Sequence, residues 1–310
     1  MNHLFKQLLF YTILLCGVIA CQEENQIPFI KPDKTGIENI VIVVIDGPRH
    51  SETWGDATRQ HIPRQDAISQ QGLLFTNFKN DGITYTLSGH TAITTGVYEN
   101  VVNNGDEVPS NPSIFQRFLK AKQASPEKAL IVTSKSKLNA LRDTKDLDWN
   151  GSYLPTIDAA DRVDQLTYEE SIVLLNKHTP HLSMIHFRGP DIKGHGADWN
   201  GYLEKIEETD QYVGELWGYI QAHAHYRDKT LLLVTTDHGR HLDGIGSGFV
   251  GHGDGCPGCR HIYLLAIGPG VPQGEQVSSH YNQTDIAPTV ANLLGFPWQG
   301  DGKSIYEIVN

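Results

Sequence analysis

Five short stretches of the chain, 39–45, 129–133, 182–187, 230–236 and 262–267, are apolar almost without interruption and are bounded by polar residues or glycine. Runs of this length, rich in Val, Ile and Leu, suit strands buried on both faces of a parallel sheet. Between them apolar residues recur at helical spacing. Helices are predicted over 62–71, over 113–121 behind Pro112, over 166–178, over 202–224 and over 284–295, the last closed by Gly295. The 202–224 stretch is the longest, with Ile206, Tyr212, Val213, Leu216, Trp217 and Ile220 on one face. A sixth helix-like run, 86–96, follows a hydroxyl-rich loop and ends at Gly96. Strands alternating with helices predict a doubly wound α/β fold, with a mainly parallel sheet and helices on both faces. Ligands in such folds bind beyond the carboxyl ends of the strands, and the loop-rich stretches 134–163 and 239–260 are placed over that edge. No internal repeat or long linker divides residues 38–310, which are read as one domain.

The amino terminus has a different pattern. Residues 1–20 carry one cation, Lys6, ahead of an apolar run, the form of a secretory signal. The run ends in Val18-Ile19-Ala20-Cys21, which resembles a bacterial lipobox, and 21–37 then reads as a polar tether containing Pro28 and Pro32. The expectation is a lipoprotein of the bacterial cell envelope, periplasmic or outer-membrane, anchored through lipid on Cys21. A plain signal peptide or an anchor helix is the alternative.

Composition narrows the partners. Hydrophobic residues make up 39% and charged residues 20%, ordinary for a globular protein, and the net charge of −11 argues against a nucleic-acid duplex as partner. Of the four cysteines, Cys16 falls within the signal and Cys21 would carry lipid, which leaves Cys256 and Cys259 in a C-x-x-C. In an oxidising compartment that pair is expected to form a small disulfide stapling a loop. One C-x-x-C offers only two zinc ligands, fewer than a closed structural site needs.

The candidate chemistry gathers near the predicted strand ends. Asp46 follows the first strand, Asp191 and His195 follow 182–187, Asp237 and His238 follow 230–236, and His252 lies in the loop before 262–267. Carboxylates and imidazoles in this arrangement suit zinc or a similar divalent ion. Each has a plainer reading: Asp46-Gly47 as a turn, Asp191 and His195 as surface polars among fifteen histidines. His241 and His261, close by, are given no role. Facing the ligands are the hydroxyls of Thr84, Thr86, Ser88 and Thr91 at the start of the 86–96 run, where backbone N–H groups favour an anion.

These pieces, in this order, resemble the alkaline phosphatase superfamily, nearest its nucleotide pyrophosphatase/phosphodiesterase branch. The resemblance rests on Val-Ile-Asp46-Gly, Thr86-Leu-Ser-Gly-His90 through Thr95-Gly96, Asp191-x-x-x-His195, Thr-Asp237-His238-Gly and Gly-His252-Gly, and it spans roughly residues 38–300. It implies two divalent metals, zinc in that branch, with manganese or iron also compatible with the ligands. Asp191, His195 and His252 would hold one, and Asp46, Asp237 and His238 the other. Thr86 would be ligand and nucleophile, forming a phosphothreonine intermediate. An asparagine shortly downstream would donate to a phosphoryl oxygen, with Asn104 preferred to Asn103 because Gly105 follows. The implied activity is hydrolysis of phosphodiester, pyrophosphate or phosphomonoester bonds in a small-molecule substrate. Thr86-Leu-Ser-Gly-His90 departs from that branch's Thr-Phe-Pro-Asn-His, which leaves nucleotide preference open. A sulfatase-like hydrolase or a phosphomutase of the same superfamily is the enzymatic alternative, although no Cys/Ser-x-Pro-x-Arg stands at the nucleophile. A surface lipoprotein that binds metal without turnover is the non-enzymatic one.

Overall fold

The computed structural model describes residues 36–309. The expected signal segment, Cys21 and nearly all of the tether lie outside the described residues. In chain order the elements are β1 (Asn39–Ile45), α1 (Pro63–Ser69), β2 (Gly72–Lys79), α2 (Thr86–Thr95), α3 (Ile114–Lys122), β3 (Ala129–Thr133), β4 (Thr156–Ala159), α4 (Asp164–His178), β5 (Leu182–Phe187), α5 (Gly189–His195), α6 (Trp199–Ala222), β6 (Thr230–Thr236), α7 (Pro257–Arg260), β7 (His261–Ile267), β8 (Glu275–Val277), β9 (Tyr281–Asn282) and α8 (Ile286–Leu293).

All nine strands join one sheet in the order β4-β3-β5-β1-β6-β7-β2-β8, with β9 also pairing β2. The pairs around β1 are parallel, β1 lying between β5 and β6. Every residue of β1 is buried, and its side chains divide between two cores as the two-residue period of a strand requires. Ile40, Ile42 and Val44 enter a core that includes residues of α2, α3 and α8. Val41, Val43 and Ile45 enter one built with residues of α1, α4 and α6. Burying each such side chain contributes roughly 1.5–3 kcal/mol before the entropy of ordering is counted. The expected doubly wound, mainly parallel architecture with helices on both faces is what forms.

One strand breaks the pattern, and the site depends on it. β7 runs antiparallel to both neighbours, β6 and β2. The segment leading into β7 therefore opens at the same sheet edge as the segments leaving β1, β5, β6 and β2.

Among the elements that the hydrophobic pattern does not show, β2 and α5 bear on the site. β2 begins where the pattern predicts the 62–71 helix to end, and its period is hidden by a register shift between Phe75 and Phe78. Its first residue must be glycine: a Cβ on Gly72 would stand 2.3 Å from the Ala266 carbonyl oxygen. α5, with Pro190 in its first turn, has only seven residues and is too short to show a helical period. Ser113 caps α3 through a reciprocal capping box with Gln116 instead of lying inside the helix behind Pro112.

Candidate active site

The deepest part of the site hangs from the ends of two central strands. Asp46 follows β1; Asp237 and His238 follow β6; all three are fully buried. The Asp46-Gly47 turn is tight, with Gly47 in the left-handed region at φ 72° and no room for a Cβ between Arg240 and Asp191. The turn aims the Gly47 N–H at Asp237 Oδ1, 3.2 Å away. The His238 Nδ1 is 2.9 Å from the Gly239 carbonyl, so it carries the proton and turns the Nε2 lone pair inward. That Nε2 lies 3.5 Å from Asp46 Oδ1 and 3.4 Å from Asp237 Oδ2. None of these three converging atoms has a hydrogen-bond partner.

The second group reaches the same place from outside the sheet. Asp191 and His195, four residues apart, share one side of α5, with Asp191 Oδ1 3.2 Å from His195 Nε2. His252 arrives on the segment before β7, its Nε2 3.3 Å from Asp191 Oδ1 and 2.9 Å from His195 Nε2. Its Nδ1 is 2.8 Å from the Thr84 carbonyl, which again leaves Nε2 unprotonated. The His252 ring stacks on His238 at 3.8 Å, joining the two groups.

Asp46, Asp191 and Asp237 gather three buried carboxylates around two buried cations, Lys135 and Arg240. Lys135 Nζ lies 2.6 Å from both Asp46 Oδ2 and Asp191 Oδ2; Arg240 bonds Asp191 Oδ1. Burial and Asp191 work to raise the Asp46 carboxyl, but Lys135 and His186 outweigh them and hold it well below the usual range. Asp191 is likewise held low, Lys135 and the two histidines prevailing over burial. Asp237 lacks such a partner, so burial and the neighbouring Asp46 drive it up. An excess of buried acceptor charge with unpartnered atoms is costly unless a cation neutralises it. The residues therefore fit a divalent metal, one set being Asp46, Asp237 and His238 and a second Asp191, His238 and His252. His195 joins the second by the distances above.

Thr86 is the first residue of α2, a helix buried along its whole length and closed by Gly96 at φ 67°. The Thr86 hydroxyl is 3.4 Å from Lys135 Nζ, and both line a cavity of about 430 Å³ together with Asn103, Arg188, Asp191, His195 and His252. Of the two asparagines, the structure brings Asn103 to the site: its Oδ1 accepts from the Leu87 N–H at 3.0 Å and from Lys137 at 3.0 Å. Asn104 turns to Asp106 in a local turn. Of the competing hydroxyls, Thr84 bonds the Asp254 carbonyl and Ser88 the Val101 backbone.

The pattern of the sequence does not show Lys135, His186 or Arg240. A lysine two residues beyond the end of β3 carries no signature until the parallel order sets β3 beside β5. His186 lies inside a strand, where its Nε2 reaches Asp46 Oδ2 at 3.0 Å. The disulfide expected between Cys256 and Cys259 is not formed, both thiols being free. Cys256 Sγ instead accepts the Cys259 N–H at 3.4 Å.

The doubly wound sheet, with carboxylates and imidazoles gathered at its carboxyl edge, defines a member of the alkaline phosphatase superfamily. Residues 38–296 match the family described as Sulfatase, and the chain belongs to that family. It is 26% identical over 155 residues to a phosphopentomutase of Alkaliphilus metalliredigens, covering 50% of this chain and 35% of that protein. It is 31% identical over 115 residues to arylsulfatase K of Danio rerio, covering 35% of this chain and 21% of that protein. The chain thus corresponds to about a third or less of the length of these curated relatives. Among solved structures it resembles the phosphonate monoester hydrolase of Agrobacterium radiobacter, with a TM-score of 0.64, 17% identity and 87% of this chain against 77% of that one. It also resembles murine ectonucleotide pyrophosphatase/phosphodiesterase 5, with a TM-score of 0.61, 16% identity and 85% against 97%. At these identities the structural likeness concerns the fold.

Proposed function

We propose that the chain hydrolyses phosphate esters, diesters or pyrophosphates before monoesters, through a phosphothreonine formed on Thr86. The observation that carries this reading is a threonine hydroxyl at the start of a buried helix, 3.4 Å from the lysine that pairs with both Asp46 and Asp191. The family's name points to sulfate esters, but no cysteine stands at this position, and both described cysteines lie beyond β6.

Asp46, Asp237 and His238 would hold one metal and Asp191, His195 and His252 the other, zinc being the ion these donors suit best. Bound divalent cations would supply a lowered pKa for the Thr86 hydroxyl and neutralisation of charge on the transferred group. The Thr86 oxygen attacks phosphorus as the bond to the leaving oxygen breaks; water then cleaves the phosphothreonine and restores the hydroxyl. Lys135 faces the attacking oxygen and favours its anionic form. Asn103, with Oδ1 engaged by two donors, presents its amide N–H to a phosphoryl oxygen, and Arg188 adds positive charge at the rim. We also place the protein in the bacterial envelope, tethered through Cys21; segment 1–21 supports this by its pattern alone.

The test is a set of p-nitrophenyl substrates, namely a phosphate diester, a phosphate monoester and a sulfate ester, given to zinc-loaded protein. Diester turnover should dominate, and Thr86→Ala should lower it on the order of a thousandfold or more while metal content is kept. Preference for the sulfate ester, or retained activity in Thr86→Ala, would overturn the reading.

A further inference from the structure

A second donor cluster lies beside the active site and shares none of its ligands. His241, Asp254, Cys256 and Cys259 each present one ligand atom, and these four atoms all lie within 4.8 Å of one another. His241 Nε2 is 3.2 Å from Asp254 Oδ2 in a contact without hydrogen-bond geometry, so this buried nitrogen has no hydrogen-bond partner. Cys259 is fully buried and Cys256 partly so. The two sulfurs belong to a tight turn in which the Cys259 N–H donates to Cys256 Sγ at 3.4 Å. An N–H directed at sulfur stabilises its thiolate, the form that binds metal. Four donors, two of them sulfur, make a complete tetrahedral set; with Zn–S near ~2.3 Å the ligand atoms of such a site stand roughly 3.5–4 Å apart, a spacing within the cluster's limit.

We infer that His241, Asp254, Cys256 and Cys259 form a structural zinc site, separate from the catalytic centre, that closes the loop delivering His252. Thiolate and imidazole donors select zinc over calcium or magnesium, and binding displaces the two thiol protons to solvent.

The placement says what the site does. Between His241 and Asp254 runs a loop with Gly244, Gly246, Gly248 and Gly253 in left-handed conformations, a chain with much entropy to lose on ordering. Two backbone hydrogen bonds stitch its base, Gly239 N–H to the Cys259 carbonyl at 2.8 Å and His241 N–H to the Gly251 carbonyl at 3.0 Å. The four side chains would clamp the same base, three residues beyond His238 and two beyond His252. A clamp there fixes where His252 stands without touching the reacting atoms.

Cobalt substitution separates the two kinds of site, because only sulfur ligands give a near-ultraviolet thiolate-to-cobalt charge-transfer band. Full-length protein purified under reducing conditions and exchanged with Co²⁺ should show that band. The band should persist in Asp237→Asn and disappear in Cys259→Ser, which should also hold one fewer zinc per chain than the unaltered protein. Cleavage by a protease within 242–251 should rise in Cys259→Ser. Absence of the band from unaltered protein would overturn the inference whether or not the variants fold. So would an equal zinc content in Cys259→Ser, or a Cys256–Cys259 disulfide recovered under these conditions.

Discussion

Asp46, Asp237 and His238 hang directly from the ends of β1 and β6, while His195 and His252 reach the same centre from a seven-residue helix and a glycine-rich loop. The first group is fixed by the sheet. β1 and β6 pair along their whole length, and every residue of both is buried, so moving Asp46 relative to Asp237 requires breaking a fully buried ladder. The second group has no such anchor: the His195 side chain is 51% exposed, against 0% for His238. One centre thus combines a half held at the ends of paired strands with a half carried on a short helix and a loop.

Lys135 joins the halves, since it contacts Asp46 on one side and Asp191 on the other at equal distance. Removing it should have the largest effect on the fold. Lys135→Met leaves two buried carboxylates without their common partner, and breaking a buried pair in this way costs about 3–5 kcal/mol. We expect a loss of that order in metal-free protein by urea unfolding, and a much smaller loss in zinc-loaded protein, where ligand binding offsets it. Equal losses with and without zinc would mean that the metals do not neutralise these carboxylates.

The two halves should also differ in chemical rescue. His195→Gly and His238→Gly should each reduce turnover by at least the ~10–100-fold seen when groups supporting a metal ligand are lost. Imidazole in the assay should restore much of the rate to His195→Gly, whose site opens to solvent, and little to His238→Gly, whose site is sealed between strands. Equal rescue would show that the half anchored in the sheet is as accessible as the other.

The same division explains what the sequence makes legible. Asp46, Asp237 and His238 stand directly after apolar runs, so the strand pattern alone places them at the functional edge. His252 is legible only through the resemblance of its Gly-His-Gly, because a ligand ahead of an antiparallel strand breaks the rule that sites follow strand ends. Lys135 and His186 are invisible for another reason: their roles depend on which strands are neighbours, and a one-dimensional pattern does not contain strand order. His241 and Cys256 carry no signal singly. A donor set of four is recognisable only when the loop closes and brings positions 241 and 254 beside the C-x-x-C.

A smaller effect should report on the seam between the two halves. His50, in the segment after β1, stacks at 3.8 Å on His261, the first residue of β7, and so ties the end of a central strand to the base of the His252 loop. Burial, then His261 and Arg59, lower the His50 pKa from 6.5 to about 4. The folded state therefore resists protonation at His50 while the unfolded chain accepts it. Stability from this residue is complete above pH 6.5 and is lost as the pH falls from there toward 4. Between pH 7 and pH 5.5 the loss is about 1 kcal/mol, measurable as a fall in unfolding free energy. His50→Gln, which cannot titrate, should flatten that part of the pH profile by the same amount while leaving turnover at pH 7 nearly unchanged. If the slope survives the substitution, other groups set it and the stack contributes packing alone.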